Sequence, residues 1–452
     1  MIDRLAPPPV GSAVGVRFPS VFRDTLHTGF DLWTIRQPGV PVAAVMLVLD
    51  RGSSADPFGR PGLAGLAADL LDEGAGARDA LELADAFARL GCELEVEVGA
   101  DVTTLGVTTL TRHLGAAIAL IGDVAMRPRL EQADFNRVRE LRMARLRQLS
   151  RSPGAAADRV FLEAVHGAHP YGHGTLGTIE ALEACELDEA RDYWARELAH
   201  AGAAMIVAGS VSHDEVRTAA ETAFTGWRAT APLGQHDVGA PDAPAIGRVL
   251  LVDRPGAAQS ELRVGHQGPP RRTPAYHALV AMNAVLGGQF TSRLNRTLRE
   301  DRGVTYGVRT AFEFRRHAGS FACETSVATE ATADSAGEVL REFANLQDPA
   351  QLADDELERA KSSLTRGYAR HFETAIQLAR AAAHLVTHQL DERTYDEFVP
   401  CIDALTADVV ARAARDVLRP DAASVVVVGD AEQCRGPLEM LGWPVAIATP
   451  RF

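Results

Sequence analysis

The chain has 452 residues, 46% of them hydrophobic, and 60 acidic against 46 basic side chains give it a formal charge of −14. That length exceeds a single compact core and points to two domains of ordinary size, while the negative charge sets any polyanion, nucleic acid included, against net repulsion. Lys361 is the only lysine, so a P-loop is excluded and Schiff-base chemistry is left one poor candidate on a charged helical stretch.

The cysteines at 92, 185, 323, 401 and 434 contain no C-x-x-C pair, so neither a disulfide framework nor a zinc ribbon is expected. The opening residues lack a charged segment followed by an apolar run, and nowhere do 18 apolar residues occur together. This reads as a soluble, cytoplasmic chain, or a periplasmic one if a leader has been removed.

After a Pro/Gly-rich start, 30–35 and 41–50 (P-V-A-A-V-M-L-V-L-D) read as strands, because they are largely β-branched, aromatic and apolar between turn residues. Pro61 then opens a helix in which Leu63, Leu66, Ala67, Leu70 and Leu71 recur at helical spacing, and Gly74 ends it. A second helix follows over 80–90, the alternating segment 92–110 reads as paired strands, and long helices cover 114–125 and 132–150.

Self-similarity organises the rest. L-E-Q-A-D-F-N-R-V-R from Leu130 matches L-A-D-D-E-L-E-R-A-K from Leu352 in polarity, 222 residues further on. I-E-A-L at Ile179 matches I-D-A-L at Ile402, and V-A-G at Val207 matches V-V-G at Val427, at nearly the same separation. The aperiodic Pro/Gly/Ala-rich segment 229–246 reads as a linker. The expected organisation is an N-terminal extension (1–19), a first half (20–228), the linker (229–246) and a second half (247–452). Each half is expected to be an α+β unit with a largely antiparallel sheet and helices packed on one face.

Three strings carry a family resemblance: R-G-S-S-A-D-P-F-G-R-P-G-L-A before the first helix, H-G-A-H-P-Y-G-H-G-T-L-G-T from His166, and G-G-Q-F-T-S-R-L-N-R-T-L-R-E-D-R-G-V-T-Y in the second half. Through them the chain resembles the pitrilysin/insulinase-like zinc peptidases, in the branch of mitochondrial processing peptidase and bacterial two-subunit relatives. The resemblance implies two clamshell-like halves. Active members carry H-x-x-E-H on the first helix, two histidines on one helical face holding zinc and a glutamate activating water. At the matching positions this chain has Gly65, Ala68 and Asp69. The family's third ligand, a later glutamate, falls near Ala144 and Arg145, where an arginine would repel a cation, and Glu140 would face elsewhere. A degenerate site without metal is expected.

Two histidine groups are candidate substitutes: His166, His169 and His173 in a Gly/Pro-rich loop, and His384 with His388 at i,i+4 spacing. The loop reads better as hydrogen-bonded structure, and the second pair, with no nearby carboxylate, as ordinary packed histidines. What the resemblance leaves intact is Arg299 with Tyr306, in L-R-E-D-R-G-V-T-Y. In the family, this arginine and tyrosine reach from the second half toward the zinc site and hold the substrate backbone. A fixed guanidinium and phenol can stabilise charge developing on an attacked carbonyl oxygen, and Gly303 between them is expected to let the backbone reverse. The expected function is a non-catalytic subunit that supplies these residues in trans to a related, zinc-bearing partner acting on peptides or unfolded segments. The alternative is an enzymatically silent scaffold of the same fold.

Overall fold

The computed structural model describes residues 15–242 and 247–452. The expected N-terminal extension and the expected linker therefore lie partly outside the described residues.

The first sheet contains β1 (Val21–Thr25), β2 (Asp31–Arg36), β3 (Val42–Leu49), β4 (Glu95–Val98), β5 (Thr103–Leu110) and β6 (Ala203–Gly209). Their spatial order is β1-β2-β6-β3-β5-β4, and every pair is antiparallel except β2 with β6. Strand β3 is buried almost throughout because it runs through the middle of a sheet covered on both faces, which explains an apolar run without alternation.

The second sheet contains β7 (Arg248–Asp253), β8 (Gln259–Gly268), β9 (Thr305–Glu313), β10 (Gly319–Ala328), β11 (Ser424–Gly429) and β12 (Val445–Ile447), in the order β12-β7-β11-β8-β10-β9. Strand β7 pairs in parallel with β11 and β12, and the remaining pairs are antiparallel. The order β2-β6-β3-β5-β4 in one half is repeated as β7-β11-β8-β10-β9 in the other. The sequence self-similarity therefore corresponds to a structural repeat, differing only at one edge strand.

On one face of the first sheet lie α1 (Leu63–Asp69), α2 (Ala80–Arg89), α3 (Leu114–Met126) and α4 (Gln132–Leu149), sharing a core with Leu47, Leu105, Phe135 and Trp227. The expected helix from Pro61 to Gly74 is shorter than its apolar spacing suggested. It begins after Gly62, whose φ of 94° is left-handed, and passes into turns beyond Asp69. In the second half α8 (Tyr276–Leu286), α9 (Thr332–Asn345), α10 (Asp354–Arg366) and α12 (Ala407–Val417) pack likewise on one face. Between α1–α4 and α8 come α5 (Pro153–His166), α6 (Leu187–Tyr193) and α7 (His213–Ala223), and between α10 and α12 comes α11 (Ala375–His388).

The other face of each sheet is covered by a helix from the opposite half. Ala156, Ala157, Val160 and Phe161 of α5 pack on Val426 and Val428 of β11 in the second sheet. Leu378, Ala379, Ala382 and Val386 of α11 pack on Ala44, Met46, Ala204 and Ile206 of the first. Helices α5 and α11 begin at 153 and 375, so they too are related by the 222-residue repeat.

Residues 229–242 bridge the halves through hydrogen bonds. Gly234 N–H donates to the Asp50 carboxylate (2.8 Å), the His169 ring meets the Val238 carbonyl (2.9 Å), and Gln267 Nε2 donates to the Pro241 carbonyl (2.8 Å). Beside this segment Asp50 and Arg316, 1% and 6% exposed, form an ion pair at 2.7 Å between the halves. Among the described residues no helix is long and apolar enough to cross a membrane.

Candidate functional site

Gly65, Ala68 and Asp69 share the face of α1 that meets α4, and the side chain of α4 that reaches them is Arg142. Its guanidinium is 7% exposed, pairs with the Asp69 carboxylate, and donates through Nη2 to the Thr175 carbonyl at 2.6 Å. A Cβ on Gly65 would lie 2.4 Å from Arg142 Nη2 and 2.4 Å from the Thr175 oxygen. The absence of a side chain at 65 is what admits the guanidinium. Zinc needs several neutral or anionic donors, but this face offers one carboxylate, already engaged by a cation. A metal ion does not fit, and among the described residues no other group of three His, Cys, Asp or Glu could hold one.

Arg145 does not do what the sequence assigned to it. It is exposed and donates to Gln148 Oε1 at 3.3 Å, while Ala144 and Glu140 also face solvent. Arg142, three residues earlier, points about 60° away around the helix, at 100° per residue. A signal for it was present: Phe135, Val138, Arg142 and Leu146 mark the buried stripe of α4 at spacings of three and four, with an arginine in an apolar position.

Asp56, in the loop ahead of α1, accepts hydrogen bonds from Gly62 N–H and Ala64 N–H, each at 2.6 Å, and so secures the helix start. Burial raises its pKa to about 7, against the opposing pull of those two donors and of Arg142. A carboxyl whose pKa is higher folded than unfolded contributes stability below its unfolded value and loses it as pH climbs through the folded value. Stability should therefore fall by roughly a few kcal/mol between pH 4 and 7 through this group. Denaturant melts across that range test this. A wild-type profile that matches Asp56→Asn would contradict it.

The histidines do not assemble a ligand set. His166 is 2% exposed and burial lowers its pKa to about 3. The His169 ring accepts from Tyr171 N–H and contacts the bridging segment, and His173 lies 3.7 Å from Asp56. On α11, His384 accepts from Arg271 Nε at 3.1 Å, and its ring lies 4.5 Å from that of His388. Burial lowers both of these to about 3, so they sit neutral in the packing between the halves.

Arg299 and Tyr306 line one open cleft of about 560 Å³ in the second half, with Phe290, Asn295, Arg309 and Glu324. Arg299 lies on the helical turn Asn295–Asp301, Gly303 follows with a φ of 65°, and Tyr306 sits in a bulge at the start of β9, 94% exposed. The glycine thus supplies the left-handed residue the reversal requires. Asn295, which sequence reasoning overlooked, fixes the arrangement: its Nδ2 donates to the Gln289 and Val308 carbonyls (3.1 and 2.8 Å) and its Oδ1 accepts from Val308 N–H (2.9 Å). One buried amide thereby ties the G-G-Q-F loop, the helical turn and β9 together, and an isolated Asn in a polar string gives no sign of this.

The cleft lies on the sheet face turned toward the first half. Arg309, Glu324 and Arg263 are in register across β9, β10 and β8, and Arg263 pairs with Asp158 of α5 at 2.6 Å. Helix α5 covers β8 and β11 on this face, so the cleft occupies the part of β9 and β10 it leaves open.

Comparison with known proteins matches residues 32–178 to the family described as Insulinase (Peptidase family M16) and residues 184–364 to the one described as Peptidase M16 inactive domain. A Mycobacterium leprae protein named an uncharacterized zinc protease is 28% identical over 309 residues, 67% of this chain and 68% of that protein. A structure from Pseudomonas fluorescens described as a peptidase M16 inactive domain superposes with a TM-score of 0.84 at 22% identity, covering 91% of this chain and 98% of that one. A chain of complex III2 from Candida albicans superposes with a TM-score of 0.76 at 16% identity, covering 94% and 100%.

Proposed function

The chain belongs to peptidase family M16, the insulinase family, and we propose that it is a non-catalytic subunit of a two-chain zinc peptidase, lending Arg299 and Tyr306 to the metal site of a related partner. The observation that carries this reading is the contrast between the two sites. The Arg142 guanidinium occupies the face of α1 that carries Gly65 and Asp69, whereas the cleft of Arg299 and Tyr306 is open with the phenol almost fully exposed.

In such a complex, zinc held by the partner supplies an activated water. This chain's part is electrostatic: the Tyr306 O–H and the Arg299 N–H groups donate to the oxygen of the attacked carbonyl, whose charge grows as the bond to water forms. The backbone that carries them is held through Asn295, and they also orient the peptide backbone. Substrates are peptides or unfolded segments able to enter the space between two such chains.

The test is to co-express the chain with an H-x-x-E-H-bearing chain of the same fold and to follow cleavage of an unstructured fluorogenic peptide. The chain alone should not cleave. In the complex, Tyr306→Phe should lower turnover by roughly one to three orders of magnitude with association unchanged, and Arg299→Ala should weaken peptide binding as well. Wild-type turnover for both variants in an intact complex would favour the second reading, a silent scaffold, which the fold shared with a complex III2 chain supports.

A further inference from the structure

Phe290 lies in the G-G-Q-F segment, lines the same cleft as Arg299 and Tyr306, and is 66% exposed. Single exposed apolar side chains are common at protein surfaces, and Phe58 is 99% exposed, so it is the contact Phe290 makes, not its exposure, that sets it apart. The guanidinium carbon of Arg299 stands 3.6 Å from the centroid of its ring. Among the described residues Arg299 joins no ion pair, unlike Arg263 at the back of the cleft, which is held by Asp158 and Glu261.

The ring is set on a stiff support. A Cβ on Gly287 would lie 2.6 Å from the Thr310 side chain, and one on Gly288 2.6 Å from Asn283 Nδ2, so the backbone ahead of Phe290 is pressed against β9 and α8. Beyond it, the Gln289 carbonyl accepts from Ser292 N–H at 3.1 Å and from Asn295 Nδ2 at 3.1 Å.

A carboxylate could hold an arginine in this place, but it would occupy the in-plane N–H donors and cancel the charge. An aromatic face attracts the cation through its quadrupole and leaves those donors free. We infer that Phe290 is a positioning residue for Arg299, fixing the guanidinium by stacking so that it meets the substrate charged and with its donors unspent. The inference rests on the role given to Arg299 above, and it assigns Phe290 no contact with the reacting atoms.

The first measurement needs no partner. In the isolated chain with ¹⁵N-labelled arginine, the Arg299 side-chain resonances should carry a ring-current shift that Phe290→Leu removes and Phe290→Trp retains. An unshifted wild-type signal would overturn the inference. In the active complex, Phe290→Ala should lower kcat/KM by about 3- to 30-fold, Phe290→Trp should restore it, and Phe290→Leu should not. In an Arg299→Ala background Phe290→Ala should have no further effect. Full additivity of the two changes, or rescue by leucine, would show that Phe290 acts by packing alone and would refute the positioning role. If Arg299→Ala itself is silent, the trans-acting role of Arg299 fails, and the inference fails with it.

Discussion

Gly65→His, Ala68→Glu and Asp69→His introduced together should leave the chain without stoichiometric zinc, while the same three changes combined with Arg142→Glu should bind about one ion per chain. The first set restores ligands on α1 but leaves a cation where the metal would sit. A side chain at 65 also begins 2.4 Å from Arg142 Nη2, so the triple variant should lose about 1–3 kcal/mol through overpacking. Replacing Arg142 removes the cation and its clash with position 65 and supplies a carboxylate from α4, while the Thr175 carbonyl, 2.4 Å from the new Cβ, must still shift to admit the side chain. Metal analysis after dialysis decides the matter. Zinc near one equivalent in the wild-type chain, or in the triple variant with Arg142 intact, would show that the guanidinium does not block the position.

Arg316→Met should lower stability by about 3–5 kcal/mol, and Asp50→Leu combined with Arg316→Met by much less. Removing the arginine leaves a buried carboxylate with the Gly234 N–H bond, a longer one from His236 N–H and only the more distant Arg51 guanidinium, at 4.0 Å, as a counter-charge. Removing both charges replaces the pair with apolar volume, and the residual loss is that of the Gly234 and His236 N–H groups, which give up their acceptor. Urea midpoints of the single and double variants measure the difference. Equal losses in the two would mean that the pair contributes only packing between the halves.

Strand identity and the duplicated architecture were legible because each rests on local composition or on residue types at fixed spacing. The β3 run V-A-A-V-M-L-V-L and the strings I-E-A-L at 179 and I-D-A-L at 402 are of this kind. What stayed hidden depends on which way a side chain turns in three dimensions. Arg142 rather than Arg145 faces α1 because of helical phase, and a string holding four arginines between 139 and 147 does not announce which one is buried. The burial of α5 on the second sheet was equally invisible, since an amphipathic stripe states that a helix has a partner but not which one. Arg299 and Tyr306 of the sequence motif come to one cleft, whereas the hydrogen bonds of Asn295 and the stacking of Phe290 beside them needed the fold of the loop between.

The reciprocal placement of α5 and α11 bears on how the chain is made. As the polypeptide leaves the ribosome, the first sheet is complete once Gly209 has emerged, yet the face built from Ala44, Met46, Ala204 and Ile206 stays uncovered until α11 follows, ending at His388. At ordinary synthesis rates that interval is roughly ten to forty seconds. During it an apolar face is open to solvent or to chaperones, and α5 waits for a sheet not yet synthesised. Neither half expressed alone can bury its surface, so cutting the chain between residues 228 and 247 should yield two aggregating fragments that become soluble when produced together.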